Sequence, residues 1–173
     1  MKGLVLRMLN VIYEDNHLLV VEKPVNIPVQ EDRSGDLDLI RISKNFLIEK
    51  YNKPGDAYLG LVHRLDRPVG GVMVFAKTSK AASRLSNQLR LHQIERTYLA
   101  VVAGKLSNKS GKMVDYLIKD RQTNTSRVTH KNERGAKKAI LHYEVLAERN
   151  DMSLIKVHLE TGRSHQIRVQ LSD

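Results

Sequence analysis

Cysteine is absent from the 173 residues, and so is tryptophan. The first absence removes a disulfide framework, a thiol nucleophile and any cysteine-ligated zinc or iron–sulfur centre. With only two Phe, stacking against a nucleobase would fall mainly to the six Tyr. No apolar run approaches the ~20 residues that a membrane-spanning helix requires. The opening MKGLVLRMLNVIYED has neither a long apolar core nor a small-residue cleavage site, so no signal peptide is read. A soluble, cytoplasmic chain is therefore expected. There is no G-x-G-x-x-G, no phosphate-binding G-x-x-x-x-G-K-[ST] and no G-x-S-x-G. A nucleotide cofactor and an esterase-type serine thus have no support. The seven His form no H-E-x-x-H and no close pair at helical ligand spacing, so no metal is expected. His142 and His158 lie in alternating patterns and read as solvent-facing or satisfied side chains.

What the chain has is positive charge, unevenly placed. The net charge is +10. Residues 1–62 carry 8 Lys/Arg against 9 Asp/Glu, whereas residues 63–173 carry 21 against 10. A field of this kind attracts polyanions and speeds encounter with them. Nucleic acid is the leading partner class, with solubility alone as the plainer explanation.

The length fits one domain, 1–173, and no repeat, low-complexity tract or linker divides it. Val11–Glu14 and Leu18–Glu22 read as paired strands joined at Asp15-Asn16, ended by Pro24 and Pro28. Leu37–Tyr51 has helical spacing in Leu37, Ile40, Phe46, Leu47 and Ile48. Strand Val72–Lys77 leads to Ser79, which would cap a helix over Lys80–Leu91. Tyr98–Gly104 reads as a buried strand, followed by strands near Met113–Ile118, Ala139–Ala147 and Ser153–Glu160. The basic stretch Lys119–Lys138 reads as a hairpin or loop, and Ser164–Leu171 as a helix with Ile167 and Leu171 facing inward. Strands outnumber helices without strict interleaving, which argues for α+β with a mixed, mostly antiparallel sheet.

Three stretches can carry chemistry. In His63-Arg64-Leu65-Asp66-Arg67-Pro68-Val69-Gly70-Gly71 an aspartate lies between two arginines in a sharp turn, and those cations favour its ionised form. Taken alone, HRLD reads as a surface ion pair before it reads as a site. Glu95–Ala100 brings Tyr98 to the start of a strand, where a tyrosine is usually a core ring with its hydroxyl at the rim. Glu160–Arg168 gathers donors at a strand-to-helix turn, suited to phosphate or to a protein carboxylate, and equally to a basic helix start in solvent.

In this order the three stretches resemble the RluA-type pseudouridine synthase family. The likeness begins at VIYEDNHLLVVEKPVNIPV, is sharpest at HRLDRPVGGVMVFAKTSKAASRL, continues at RTYLAVV and closes at LETGRSHQIRVQL. It spans nearly the whole chain from about Val11. The resemblance implies a catalytic domain with flanking helices and a central RNA-binding cleft, acting on structured rRNA or tRNA as a monomer without a cofactor. It implies Asp66 as the essential aspartate and Arg64 as an arginine that fills the gap left by a flipped nucleotide. Tyr98 would stack on the uracil, Arg168 would ion-pair with the aspartate, and Ile167 would pack beside the base. His63, Arg163, His165 and Gln166 fall in the same motifs, as substrate-binding candidates.

The implied reaction suits these residue types. Turning uridine into pseudouridine breaks N1–C1′, rotates the base and joins C5 to C1′, so no group is lost or gained and no redox cofactor or energy donor is required. An ionised carboxylate can attack the sugar, attack the base or remove a sugar proton. Each route needs the carboxylate held in place and the nucleotide out of its stack, which costs least in a loop or bulge. Val69-Gly70-Gly71 occupies the place of the family's Thr-Ser-Gly, and the S4-like domain of many relatives is expected to be absent. The family's strands beyond the Arg168 motif also have no counterpart before Asp173, so the catalytic domain is expected to be shortened. The alternative is a non-catalytic RNA-binding module that keeps the cleft but not turnover.

Overall fold

In a computed structural model of the protein, residues 9–120 and 122–172 are described. The chain divides between Leu91 and His92 into two compact units, and each is treated by itself.

The first unit is built on a sheet in the order β1-β2-β4-β3, with β1 at Asn10–Glu14, β2 at Leu18–Lys23, β3 at Gly60–Leu61 and β4 at Gly71–Ala76. The β1–β2 hairpin turns where the sequence pattern put it. Asp15 Oδ1 accepts from the backbone N–H of His17 and Leu18 at 2.7 and 2.6 Å, the side chain replacing backbone partners in the turn. The alternation in β2 sends Leu19, Val21 and Lys23 to one face, and all three are fully buried. Met73 and Phe75 of β4 are equally buried and join that core. Helix α1 (Leu39–Tyr51) buries Leu39, Ile42, Ser43, Phe46 and Leu47, the three- and four-residue spacing of one helical face. Asp38 caps it by accepting from Arg41 N–H at 2.9 Å. Helix α2 runs from Ser79 to Arg90, and its cap is Thr78, not Ser79: the Thr78 backbone is extended and its hydroxyl accepts from Ala81 N–H.

The second unit is a sheet in the order β5-β9-β8-β6-β7, comprising β5 (Thr97–Ala103), β6 (Ser110–Asp120), β7 (Thr125–Thr129), β8 (Lys137–Arg149) and β9 (Met152–Leu159). The basic stretch after Lys119 is a hairpin, with β7 paired to β6 from Tyr116↔Thr129 to Asp120↔Thr125. Asn150 and Asp151 join β8 to β9 with φ of +49° and +56°, a two-residue turn in which both central positions are left-handed. One face of the sheet carries a cluster of Leu141, Ile155, Val157 and Leu159, against which Tyr98, Ala100, Ile167 and Leu171 pack. Strand β5 is half-buried and not the buried strand expected: its other face leaves Leu99 and Val101 each 66% exposed. The closing helix α3 is shorter than expected, Gln166–Gln170, because His165 before it is left-handed at φ +55°.

The class is α+β, as anticipated. Among the described residues every strand pairing is antiparallel and the strands fall into two sheets, so the mixed character expected of a single sheet does not appear. The two-residue β3 had no sequence pattern long enough to announce it. No described helix is long and apolar enough to cross a membrane.

Candidate functional site

The motif around Asp66 is the loop between β3 and β4, and a buried lysine organises it. Lys23 is the third inward residue of β2, where an apolar side chain would continue the pattern. Its ammonium donates to three backbone carbonyls, Pro24 O at 2.9 Å, Arg67 O at 3.0 Å and Val69 O at 2.7 Å. Three donors meet three acceptors, which is the full capacity of an ammonium. Burial pushes this lysine below its usual value, while the negative charge of Asp66 pulls it back up and Arg67 pushes it further down. The loop is pinned again by Asn26 N–H to Arg67 O at 2.8 Å and closed on itself by Val69 N–H to Asp66 O at 3.0 Å. Gly71 enters β4 at φ +140°, a conformation costly for any residue with a Cβ.

Around this frame, Asp66 and His63 are half-buried and Arg64 is exposed. The His63 ring faces β4, where its Nε2 accepts from Val74 N–H at 3.1 Å, assigning the ring proton to Nδ1. Arg67 is held by an acidic loop: its guanidinium contacts Ser34 Oγ at 2.9 Å, Asp32 at 3.4 Å and the carboxylate of Asp36. Hydrogen bonds from Ser34 lower the Asp32 carboxyl, and the one from Arg67 lowers Asp36.

In the second unit, Tyr98 and Ile167 rest on the same apolar cluster, Tyr98 from β5 opposite Val157 and Ile167 from α3. Arg168 is exposed on α3. The neighbouring polar residues serve the turn that carries it. Gln166, 2% exposed, accepts from Thr161 Oγ at 2.8 Å and from Arg163 N–H at 3.0 Å, and donates to Ile140 O and to Gln170 Oε1. Gln170 in turn donates to Asp115 at 2.6 Å. Arg163 Nε donates to Lys138 O at 2.8 Å, and the His165 ring lies 3.1 Å from Asn124 O at the tip of the β6–β7 hairpin. Gln166, a substrate-binding candidate by its motif, is thus directed inward. Glu160, just before the turn, is drawn down to about 2 by hydrogen bonds from His142 and Lys112. His142 is accordingly a satisfied side chain, as its pattern suggested.

Lys23 and Arg96 escaped the sequence reading. For Lys23 the signal was present in the alternation Leu19-Val21-Lys23, which put a cation on a buried face. For Arg96, two residues before Tyr98 and bonded to the carbonyls of Leu159 and Glu160, no signal separated it from a solvated strand end. Among the described residues, no group of three His, Asp or Glu could hold a metal ion.

Comparison with known proteins identifies the family. The model of the RNA pseudouridylate synthase family matches residues 17–173. The uncharacterized RNA pseudouridine synthase YhcT of Bacillus subtilis is 35% identical over 167 residues, covering 95% of this chain and 53% of that protein. Ribosomal large subunit pseudouridine synthase D of Zymomonas mobilis is also 35% identical over 167 residues, covering 95% and 52%. tRNA pseudouridine synthase C of Yersinia pestis is 33% identical over 172 residues, covering 93% and 64%. The chain thus spans about half the length of the first two of these relatives. In fold it is similar to human RNA pseudouridylate synthase domain containing 4, with a TM-score of 0.82 at 24% identity over 99% of this chain and 67% of that one.

Proposed function

Because this chain belongs to the RNA pseudouridylate synthase family, we propose that it isomerises uridine to pseudouridine in structured rRNA or tRNA, with Asp66 as the catalytic carboxylate. The observation that carries the assignment is the Lys23 clamp. A buried ammonium that holds the carbonyls of Arg67 and Val69 fixes the backbone immediately after Asp66. A carboxylate that must meet one atom of a flipped nucleotide gains most from such rigidity, since a misplacement of about 1 Å can cost ~100-fold in rate. A turn that served only as a surface ion pair would not require a lysine in the core.

The remaining roles follow from chemistry and exposure. Tyr98 offers a ring anchored on the apolar cluster, suited to stacking on uracil. Arg168, exposed on α3, offers a planar guanidinium suited to an anionic group. Arg64 and the basic residues of the second unit meet the RNA backbone. Ile167, Gln166 and Arg163 act chiefly by holding the turn, and His63 by joining the Asp66 loop to β4. The isomerisation breaks N1–C1′, forms C5–C1′, releases the C5 proton and returns one to N1, so the atoms balance within the substrate and solvent. The relatives' names point to both large-subunit rRNA and tRNA as substrate classes. The reading includes a cytoplasmic monomer acting without a cofactor.

Transcripts of large-subunit rRNA and tRNA incubated with the protein, then mapped for pseudouridine by carbodiimide adducts and reverse-transcription stops, test this. Stops that appear with the wild type and vanish with Asp66→Asn, at unchanged RNA affinity, are expected. RNA bound equally by both with no stops from either would leave the non-catalytic binding module as the function.

A further inference from the structure

The Glu160–Arg168 turn and the Tyr98 strand are joined by one side chain that the family motif does not explain. Arg96 lies one residue before β5. Its Nη2 donates to Leu159 O at 3.3 Å and to Glu160 O at 3.1 Å, the last carbonyls before the turn. Its own carbonyl accepts from Leu159 N–H at 3.1 Å, closing the contact from both sides. The guanidinium points its Nη1 end at Gly162: a Cβ on that glycine would collide with Nη1 and sit 3.6 Å from Cζ. Gly162 does not have a positive φ, so the position demands space and not backbone freedom. Arg96 Nε is buried without a partner among the described residues. A buried donor left unsatisfied carries a penalty, so the side chain is held there by what its other nitrogens do.

We propose that Arg96 and Gly162 form a positioning pair: the Nη1 end of the arginine, abutting the glycine, sets the path of the Thr161–Gln170 segment relative to Tyr98 and so fixes where Arg168 stands for the reaction. This rests on the proposed synthase activity. The pair lies within the second unit, and its role is positioning. Its effect passes through the turn, whose far side is braced by the buried Gln166 and its bonds to Thr161, Arg163 and Ile140. Lysine cannot replace the arginine in full, because its single terminal nitrogen can serve the carbonyls of Leu159 and Glu160 or stand where Nη1 meets Gly162, not both.

The test is a double-mutant cycle of Arg96→Lys and Gly162→Ala, read two ways. The first readout is amide hydrogen exchange. Each single variant is expected to speed exchange of the 161–170 amides about tenfold, with the β8–β9 core amides unchanged. The second is steady-state pseudouridine formation on rRNA and tRNA transcripts. Each single variant is expected to lower kcat by about 10- to 100-fold, the scale of an ångström displacement, with KM for RNA within about 2-fold. A merely structural role would instead lower the amount of folded protein and leave kcat per folded molecule intact. In the double variant the slimmer lysine makes room for the new methyl group, so Gly162→Ala should add little to Arg96→Lys. Single variants with wild-type kcat and wild-type exchange, or fully additive effects, overturn the pairing. Absence of product from the wild type itself would sink the synthase reading, and with it the claim on Arg168. Exchange then decides alone whether the pair sets the turn.

Discussion

Replacing Lys23 by Met keeps the length and approximate volume of the side chain and deletes its charge, which makes it the sharpest probe of the Asp66 loop. The ammonium serves three carbonyls at 2.7 to 3.0 Å. Each carbonyl left without a donor costs about 1–3 kcal/mol if it stays buried. The three costs do not add in full, because two of the acceptors share one loop that can relax toward water. Burying an ammonium also carries a desolvation penalty that Met escapes. The net loss should resemble that of removing one partner from a buried charged group, about 3–5 kcal/mol. At roughly 2–4 °C per kcal/mol for a chain of this size, Tm should fall by roughly 6–20 °C. Thermal unfolding followed by circular dichroism measures it. Hydrogen exchange at Asn26 and Val69, whose amides bond to Arg67 O and Asp66 O, should report loosening there first. A Lys23→Met protein with Tm within about 2 °C of wild type and unchanged exchange at both amides would refute the clamp.

Other expectations are independent of that one. The Glu14 side chain is 7% exposed, and although burial pushes its carboxyl up, hydrogen bonds from Lys50, Lys77 and Tyr51 bring it down to about 2. A folded-state value below the unfolded one means stability present above pH ~4.5 and lost as pH falls toward ~2, on the order of 3 kcal/mol in all. Urea midpoints between pH 7 and 2 should therefore drop over that window, and Glu14→Gln should flatten the decline. Gly71→Ala forces a Cβ into φ +140° beside the Asp66 loop and should cost about 1–3 kcal/mol, seen as a lower urea midpoint with the slope retained. Ile155→Ala removes most of a fully buried side chain from the second unit's cluster and should cost about 2–5 kcal/mol, read from the same urea titration. Charge reversal at Lys131, Arg134 and Lys137, all exposed around the β7–β8 connection, should weaken RNA binding and flatten the plot of log affinity against log salt. The slope should change by about 0.9 for each phosphate no longer neutralised on a duplex, or about 0.7 on a single strand. An unchanged slope would make this stretch a solvated surface.

The strand pattern was legible because burial on one face imposes a period of two. The β1–β2 hairpin, β6, β8 and β9 all followed from it within a few residues, and the helix over Leu39–Tyr51 followed from its period of 3.6. The errors arose where neighbouring residues offer the same chemistry. Thr78 and Ser79 can both cap a helix, and the choice fell to the one whose backbone is extended. In β5 a continuous apolar run read as burial on both faces, yet Leu99 and Val101 are exposed, since apolar composition alone does not tell a one-sided strand from a two-sided one. Polar residues misled in the same way. Gln166 reads as a ligand contact in the sequence and Lys23 carries no reading there, yet both turn inward because backbone groups there need donors and acceptors that no apolar side chain provides. Resemblance located the motifs of Asp66, Tyr98 and Arg168. Of the supports of those motifs, Lys23 beneath one loop was foreshadowed by the alternation of β2, whereas Arg96 beside one turn came only from three-dimensional structure.

Joining C5 to C1′ must expel the hydrogen carried by C5, so RNA labelled with tritium at uridine C5 reports the isomerisation directly. With large-subunit rRNA and tRNA transcripts as substrates, the wild-type protein should release tritium to water from one of these RNA classes in multiple turnovers. Asp66→Asn should bind the same RNA and release none. Release at the wild-type rate from Asp66→Asn would contradict the assignment of this carboxylate.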